Sequence, residues 1–194
     1  MSYIFQEVSA EELRRGIQTI AGDDSVLISA GNLKLFSSSV ASCRYASELT
    51  FKPIAVCFLR PQRSVIRFID KFEYFSLCYF PSQYKHLLNT FGSGASIERV
   101  EPILTQLGNI YYPQSEWVFE CRKAFNLELI LSKEIQDFMA SEKKRSIYPG
   151  TETPRMYVGE IVHGWHKIPV DFARNTSRQL PEADKNKFLS SENR

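Results

Sequence analysis

The sequence predicts a mainly β fold with appended helices, an antiparallel barrel in a single domain. Three observations predict it. Six short apolar runs, residues 26–30, 35–41, 54–59, 74–80, 117–125 and 156–165, are rich in β-branched and aromatic side chains and bounded by Gly, Pro, Ser or Asn, so they read as strands. Helical patterns fall unevenly between them, without the strict strand–helix alternation of a parallel sheet. The chain has 194 residues, 43% hydrophobic, enough to bury one full core without metal or disulfide staples.

The elements follow in order. Ser9-Ala10-Glu11-Glu12 spells a capping box, in which the Ser9 hydroxyl accepts from the amide of residue 12 and the Glu12 carboxylate returns to the amide of residue 9. It opens a helix over about 9–20, stopped by Gly22-Asp23-Asp24. Residues 63–72 place Val65, Ile66, Phe68 and Ile69 close to one helical face. Residues 82–90 and 96–107 read likewise, with Gly92, Gly94 and Gly108 as breaks, and 132–142 reads as a further helix. The spacing of the strands is too irregular for an internal repeat. Residues 1–168 form the domain, and 169–194, polar and interrupted by proline, form a C-terminal arm or tail.

Composition and charge exclude several classes. With 24 basic and 22 acidic side chains the net charge is +2, which sustains no field for nucleic acid or an anionic membrane. Normal apolar content excludes disorder of the whole chain. The densest basic cluster, Lys143-Lys144-Arg145, follows Glu142 and reads as a solvated loop or helix end. No run approaches 18 apolar residues, and the N-terminal MSYIFQEVSAEEL has neither a basic nor an apolar leader region. A cytoplasmic location without membrane association is therefore expected. Cys43, Cys57, Cys78 and Cys121 stand singly, without a CxxC pair, and read as reduced core thiols.

No enzyme signature is present: no G-x-G-x-x-G, Walker loop, G-x-S-x-G or H-E-x-x-H. His163 and His166, three apart on a strand, point to opposite faces, so no metal site is expected there. A Cys–His nucleophile has no local signature to support it. No side chain is nominated as catalytic.

Two segments carry more than packing explains. Arg60-Pro61-Gln62-Arg63-Ser64 lies between a strand and the start of a helix, where two guanidiniums, a hydroxyl and helix N-terminal amides suit a phosphate. A proline turn with solvated arginines is the other reading. Phe36-Ser37-Ser38-Ser39-Val40-Ala41-Ser42 is a strand with four hydroxyls. Three consecutive serines leave at least one on a covered face, where it needs a partner: a polar ligand, buried water or backbone.

The order of motifs resembles the flavin reductase-like family with the FMN-binding split-barrel fold, in particular its flavoredoxin-type branch. The matching stretches are Ile28-Ser29-Ala30-Gly31, residues 36–43, Lys52-Pro53-Ile54-Ala55 through Arg60-Pro61-Gln62-Arg63-Ser64, Phe68-Ile69-Asp70-Lys71, Tyr74-Phe75-Ser76-Leu77, Glu120-Cys121-Arg122-Lys123 and Met156-Tyr157-Val158-Gly159-Glu160-Ile161. They stand in the family's order across roughly residues 5–168. The resemblance implies a split barrel holding FMN at a homodimer interface. Ser37, Ser38, Ser39, Val40, Ser42 and Cys43 would line the ribityl and ring side. Arg60, Arg63 and Ser64 would bind the phosphate, and Gly92 and Ser93 would form a loop near the flavin.

The function implied is an NAD(P)H-dependent flavin reductase or related FMN oxidoreductase, taking hydride from NADH or NADPH and passing electrons onward, in some cases to an acceptor protein. Two alternatives stay open: an FMN-binding electron carrier without its own nicotinamide site, and a barrel that has lost the cofactor. The chain has Ser37-Ser38-Ser39-Val40 where the family has Asn-Thr-Met-Thr. It has Cys43 in place of a tryptophan, and Gly92-Ser93-Gly94-Ala95 in place of a loop with Lys and Arg.

Overall fold

The computed structural model describes residues 2–20, 25–46, 53–61, 63–93, 100–128 and 154–170. The chain runs β1 (Tyr3–Glu7), α1 (Ala10–Ile20), β2 (Ser25–Asn32), β3 (Leu35–Ala46), β4 (Ile54–Leu59), α2 (Val65–Lys71), β5 (Tyr74–Tyr79) and, after a 3-10 turn at Ser82–Tyr84, α3 (His86–Ser93). A two-stranded hairpin follows, β6 (Ile103–Leu104) and β7 (Ile110–Tyr111), then the long strands β8 (Trp117–Glu128) and β9 (Arg155–Pro169). Six strands in the order β9-β4-β3-β2-β5-β8 form the barrel, closed because β8 also pairs with β9; β1 lies outside, antiparallel to the far end of β9.

Side-chain alternation sorts each strand between two cores. Inward positions, among them Val26, Ile28, Ala41, Ala55, Cys57, Phe75, Leu77, Phe119, Cys121 and Tyr157, fill the barrel together with Leu13 and Ile17 of α1 and Val65, Ile66 and Ile69 of α2. Outward positions Leu27, Cys78, Val118 and Trp165 form a second core with Leu87 and Leu88 of α3 and Ile110 and Tyr112 of the hairpin region. A strand buried on both faces reads as a continuous apolar run, which is why residues 26–30 show no alternation.

Local chemistry explains the helix starts and stops. The capping box forms: the Ser9 amide donates to Glu12 Oε2 at 2.9 Å and the Glu12 amide donates to Ser9 Oγ at 3.3 Å. Gly16 lets α1 approach the barrel, since a Cβ there would lie 2.5 Å from the Trp117 ring.

Several expectations need correction. The stretch 96–107 is not helical in its described part, where Ile103–Leu104 pairs with Ile110–Tyr111. Pro102 lacks an amide proton and disfavours a helical Glu101. The connecting turn is closed by the Gly108 amide donating to the Thr105 carbonyl at 3.0 Å, with Gly108 at φ +83°. The helix expected over 82–90 divides into the 3-10 turn and α3. β1 has no counterpart among the expected strands.

Ile161 pairs with Cys121 and His163 with Glu120, so Val162 is a bulge residue in β9. His163 sits beside Glu7, Nδ1 to Oε1 2.6 Å, while His166 stacks on Trp117 with ring centroids 4.0 Å apart. All four cysteines are buried and unbridged. Among the described residues no helix is long and apolar enough to cross a membrane. Gly22-Asp23-Asp24, the helix expected over 132–142, Lys143-Lys144-Arg145 and residues 171–194 lie outside the described residues.

Candidate functional site at the open edge of β3

The two barrel neighbours of β3 are staggered. β2 pairs with Leu35 through Ser42, whereas β4 pairs only with Ser42 through Ala46. Beyond Leu59 the chain leaves the sheet, turning through Arg60 and Pro61 into α2. Among the described residues, no strand therefore lies against the second edge of β3 over residues 35–41. Alternate backbone amides and carbonyls there point along the sheet into the gap, and the Arg60–Ser64 turn follows where β4 leaves that edge.

That turn is ordered by its own backbone. The Arg63 amide donates to the Arg60 carbonyl at 3.1 Å, and the amides of Ile66 and Arg67 donate to the carbonyls of Arg63 and Ser64 at 3.1 and 3.3 Å. Ser64 flanks α2 with helical dihedrals and makes no side-chain capping bond. Its hydroxyl instead lies 2.6 Å from the hydroxyl of Ser37 on β3. Arg60 and Ser64 are exposed and Arg63 is half-buried.

The three serines divide between the faces of β3. Ser37 and Ser39 alternate with Ser38, on the inward side that Ala41 and Cys43 continue. Ser39 is only 2% exposed, and its hydroxyl has no hydrogen-bond partner among the described residues. Ser38 faces outward, 2.7 Å from the Ser29 hydroxyl and 2.8 Å from that of Tyr112. Burial pushes the Tyr112 phenol up to about 12, against the opposing effect of the Ser38 hydrogen bond. Val40 packs into the outer core, and Ser42 is half-buried. Cys43 points into the barrel, its sulfur 3.3 Å from that of Cys57, so toward a ligand outside the wall it presents backbone alone. Gly92 and Ser93 end α3.

The far end of α2 is held from β8 and β9. Lys123 Nζ donates to the carbonyls of Ile69 and Asp70 at 2.7 and 2.9 Å, a cation at the negative end of the helix. Arg155 Nη1 and the Tyr157 hydroxyl donate to the two Asp70 carboxylate oxygens at 2.8 and 2.9 Å. Burial is the main cause that pushes the Tyr157 phenol up to about 12. Nothing in the spacing of Asp70, Lys123, Arg155 and Tyr157 announces this clamp, because the residues are distant in sequence and meet only through the barrel's closure. Tyr112 and Ser29 were missed for the same reason.

No protein-family model and no curated protein matches the chain. Solved structures do match in fold. An FMN-binding domain of a flavin reductase-like enzyme from Shewanella baltica superposes with a TM-score of 0.58 over 86% of this chain and 78% of the other, at 13% identity. Flavoredoxin from Methanosarcina acetivorans gives 0.55 over 74% and 68%, at 14% identity. The NADH:FAD oxidoreductase of Streptomyces globisporus gives 0.53 over 83% and 82%, at 11% identity. The chain has the split-barrel fold of the FMN-binding, flavin reductase-like domains.

Proposed function

We propose that this protein is a flavin-dependent oxidoreductase that holds FMN along the open edge of β3. The observation that carries this reading is the 2.6 Å contact between Ser37 and Ser64, which joins the hydroxyl strand to the Arg60–Ser64 turn. Two hydroxyls that share one hydrogen bond have one proton left to donate, and the turn that carries Ser64 also carries Arg60 and Arg63; hydroxyl and guanidiniums together are the donor set a phosphate needs. The backbone groups of residues 35–41 on the edge away from β2, where no strand pairs among the described residues, supply further polar groups for the ribityl chain and the polar edge of the ring. The residues present thus fit the cofactor that similar folds are named for.

In this reading Arg60, Arg63, Ser64 and Ser37 hold the phosphate, and the backbone of Ser39, Val40 and Cys43 with Ser42 orients the ring. Gly92 and Ser93 close the site from the end of α3. FMN, when bound, supplies the hydride acceptance and electron transfer, so no general base is required of the protein. NADH or NADPH is the donor; the Streptomyces globisporus protein of similar fold is an NADH:FAD oxidoreductase. A homodimer sheltering the flavin, in the cytoplasm, completes the proposal.

The test is an FMN titration followed by flavin fluorescence, then NADH and NADPH oxidation with FMN added. Saturable binding at low micromolar concentration with nicotinamide turnover is expected. Binding without turnover would leave an electron carrier; no binding at hundreds of micromolar would leave a barrel without its cofactor.

A further inference from the structure

Inside the barrel, Cys43 of β3 and Cys57 of β4 are direct partners in the antiparallel register. Both side chains point inward, both are at most 2% exposed, and their sulfurs are 3.3 Å apart. Facing residues in an antiparallel pair have Cα atoms about 4.5–5.5 Å apart, inside the roughly 4.4–6.8 Å range that a disulfide spans. Closing the bond asks that the sulfurs approach to about 2.05 Å and that the side chains rotate to a Cβ–S–S–Cβ dihedral of about 90°. Cys121 also faces the barrel interior but lies on β8, which pairs with neither β3 nor β4, and Cys78 belongs to the outer core.

We propose that Cys43 and Cys57 are a peroxide-oxidisable dithiol, closing to a cross-strand disulfide at the point where β3 and β4 diverge. One thiolate sulfur attacks the O–O bond of hydrogen peroxide, giving a sulfenic acid and hydroxide. The second sulfur attacks the sulfenic sulfur, the S–O bond breaks, and the S–S bond forms. The oxygen leaves as water and the remaining thiol proton neutralises the hydroxide. Two thiols and one peroxide become one disulfide and two waters, the sulfurs together losing the two electrons that the peroxide oxygens gain. The crosslink joins the strand that carries Ser37 to the strand that runs into Arg60, and so fixes the width of the split. This inference does not depend on flavin binding.

Burial shapes the kinetics. The Cys57 thiol is raised well above its ordinary value, chiefly by its hydrogen bond with Cys43 and then by burial. Little Cys57 thiolate forms in the closed barrel, so oxidation is slow and proceeds through transient openings.

The experiment uses the wild-type protein incubated with millimolar hydrogen peroxide, then denatured, alkylated with iodoacetamide and mapped by mass spectrometry. The four cysteines of the reduced chain take four labels. After peroxide, two labels are expected, the missing pair joining the peptides that carry Cys43 and Cys57, with dithiothreitol restoring four. Four labels after prolonged exposure would overturn the proposal, as would a crosslink mapping to Cys121 or Cys78, or sulfinic and sulfonic masses in place of the crosslink. A Cys78→Ser variant is expected to keep the crosslink, with two of its three remaining thiols lost to labelling. If it keeps all three, the pair is not the one proposed.

Discussion

The hydroxyls of Ser37 and Ser64 lie 2.6 Å apart, although 27 positions separate them in the chain. The contact exists because β4 stops pairing with β3 at Ser42 and its continuation folds back over the vacated edge. One hydrogen bond thereby sets the spacing between the hydroxyl strand and the arginine turn. Replacing either serine by alanine frees that spacing and removes a donor.

Arg63→Ala is expected to weaken FMN binding about ten- to a hundredfold, the loss of a charge-assisted contact of about 1.5–3 kcal/mol. The melting temperature of the FMN-free protein should shift by no more than about 2 °C, because Arg63 belongs to neither core cluster. Fluorescence titration beside thermal unfolding separates the two effects. A large fall in melting temperature with unchanged FMN affinity would make the arginine structural.

Lys123→Met removes the cation that caps the carbonyls of Ile69 and Asp70. A loss of about 1–2 kcal/mol in unfolding free energy is expected, from the stranded acceptors and the helix-end charge. The urea midpoint measures it. Because α2 begins at the arginine turn, a weaker FMN titration in the same variant is expected as well.

Gly16→Ala sets two effects against each other. Alanine gains about 1 kcal/mol in helix propensity, but its Cβ would lie 2.5 Å from the Trp117 ring. Overpacking of a core costs about 1–3 kcal/mol, so the clash wins and the melting temperature falls. Tryptophan emission should change with it.

Glu120 is fully buried; its Oε1 accepts from the Thr105 hydroxyl and from Asn109 Nδ2, while Oε2 has no partner among the described residues. Glu120→Gln is close to the same shape and keeps a carbonyl oxygen for both donors, so little change in stability is expected. Glu120→Ala strands both donors and should cost about 2–4 kcal/mol. Equal losses in the two variants would contradict this account.

Alkaline pH should unfold the protein, and the sign follows from two neutral acids. Burial raises the Cys78 thiol from 9.0 to about 11 and the Tyr112 phenol from 10.0 to about 12. Unfolded, these groups release protons first, so the folded state binds more protons as pH rises and stability falls. Their contribution is complete below about pH 9 and is lost progressively up to about pH 12. Denaturant midpoints across this range test it, and Tyr112→Phe should flatten the upper part of the profile.

Sequence patterning by itself determined the six barrel strands, the capping box that starts α1 and the two segments that form the candidate site. These are local matters of side-chain period, turn chemistry and capping, settled within about ten residues. The hairpin at Ile103–Tyr111 was misread because apolar residues at helical spacing outweighed Pro102. β1 escaped notice because its pairing energy comes from β9, more than 150 residues away. Tertiary structure alone decided which serine faces which way, that Ser64 reaches Ser37 rather than capping its own helix, that Cys43 meets Cys57 inside the wall, and that Lys123 holds α2 from behind. Each depends on where β4 leaves β3 and how β8 closes on β9, and a strand's register against distant partners is set by the burial of the whole barrel, which no local window contains.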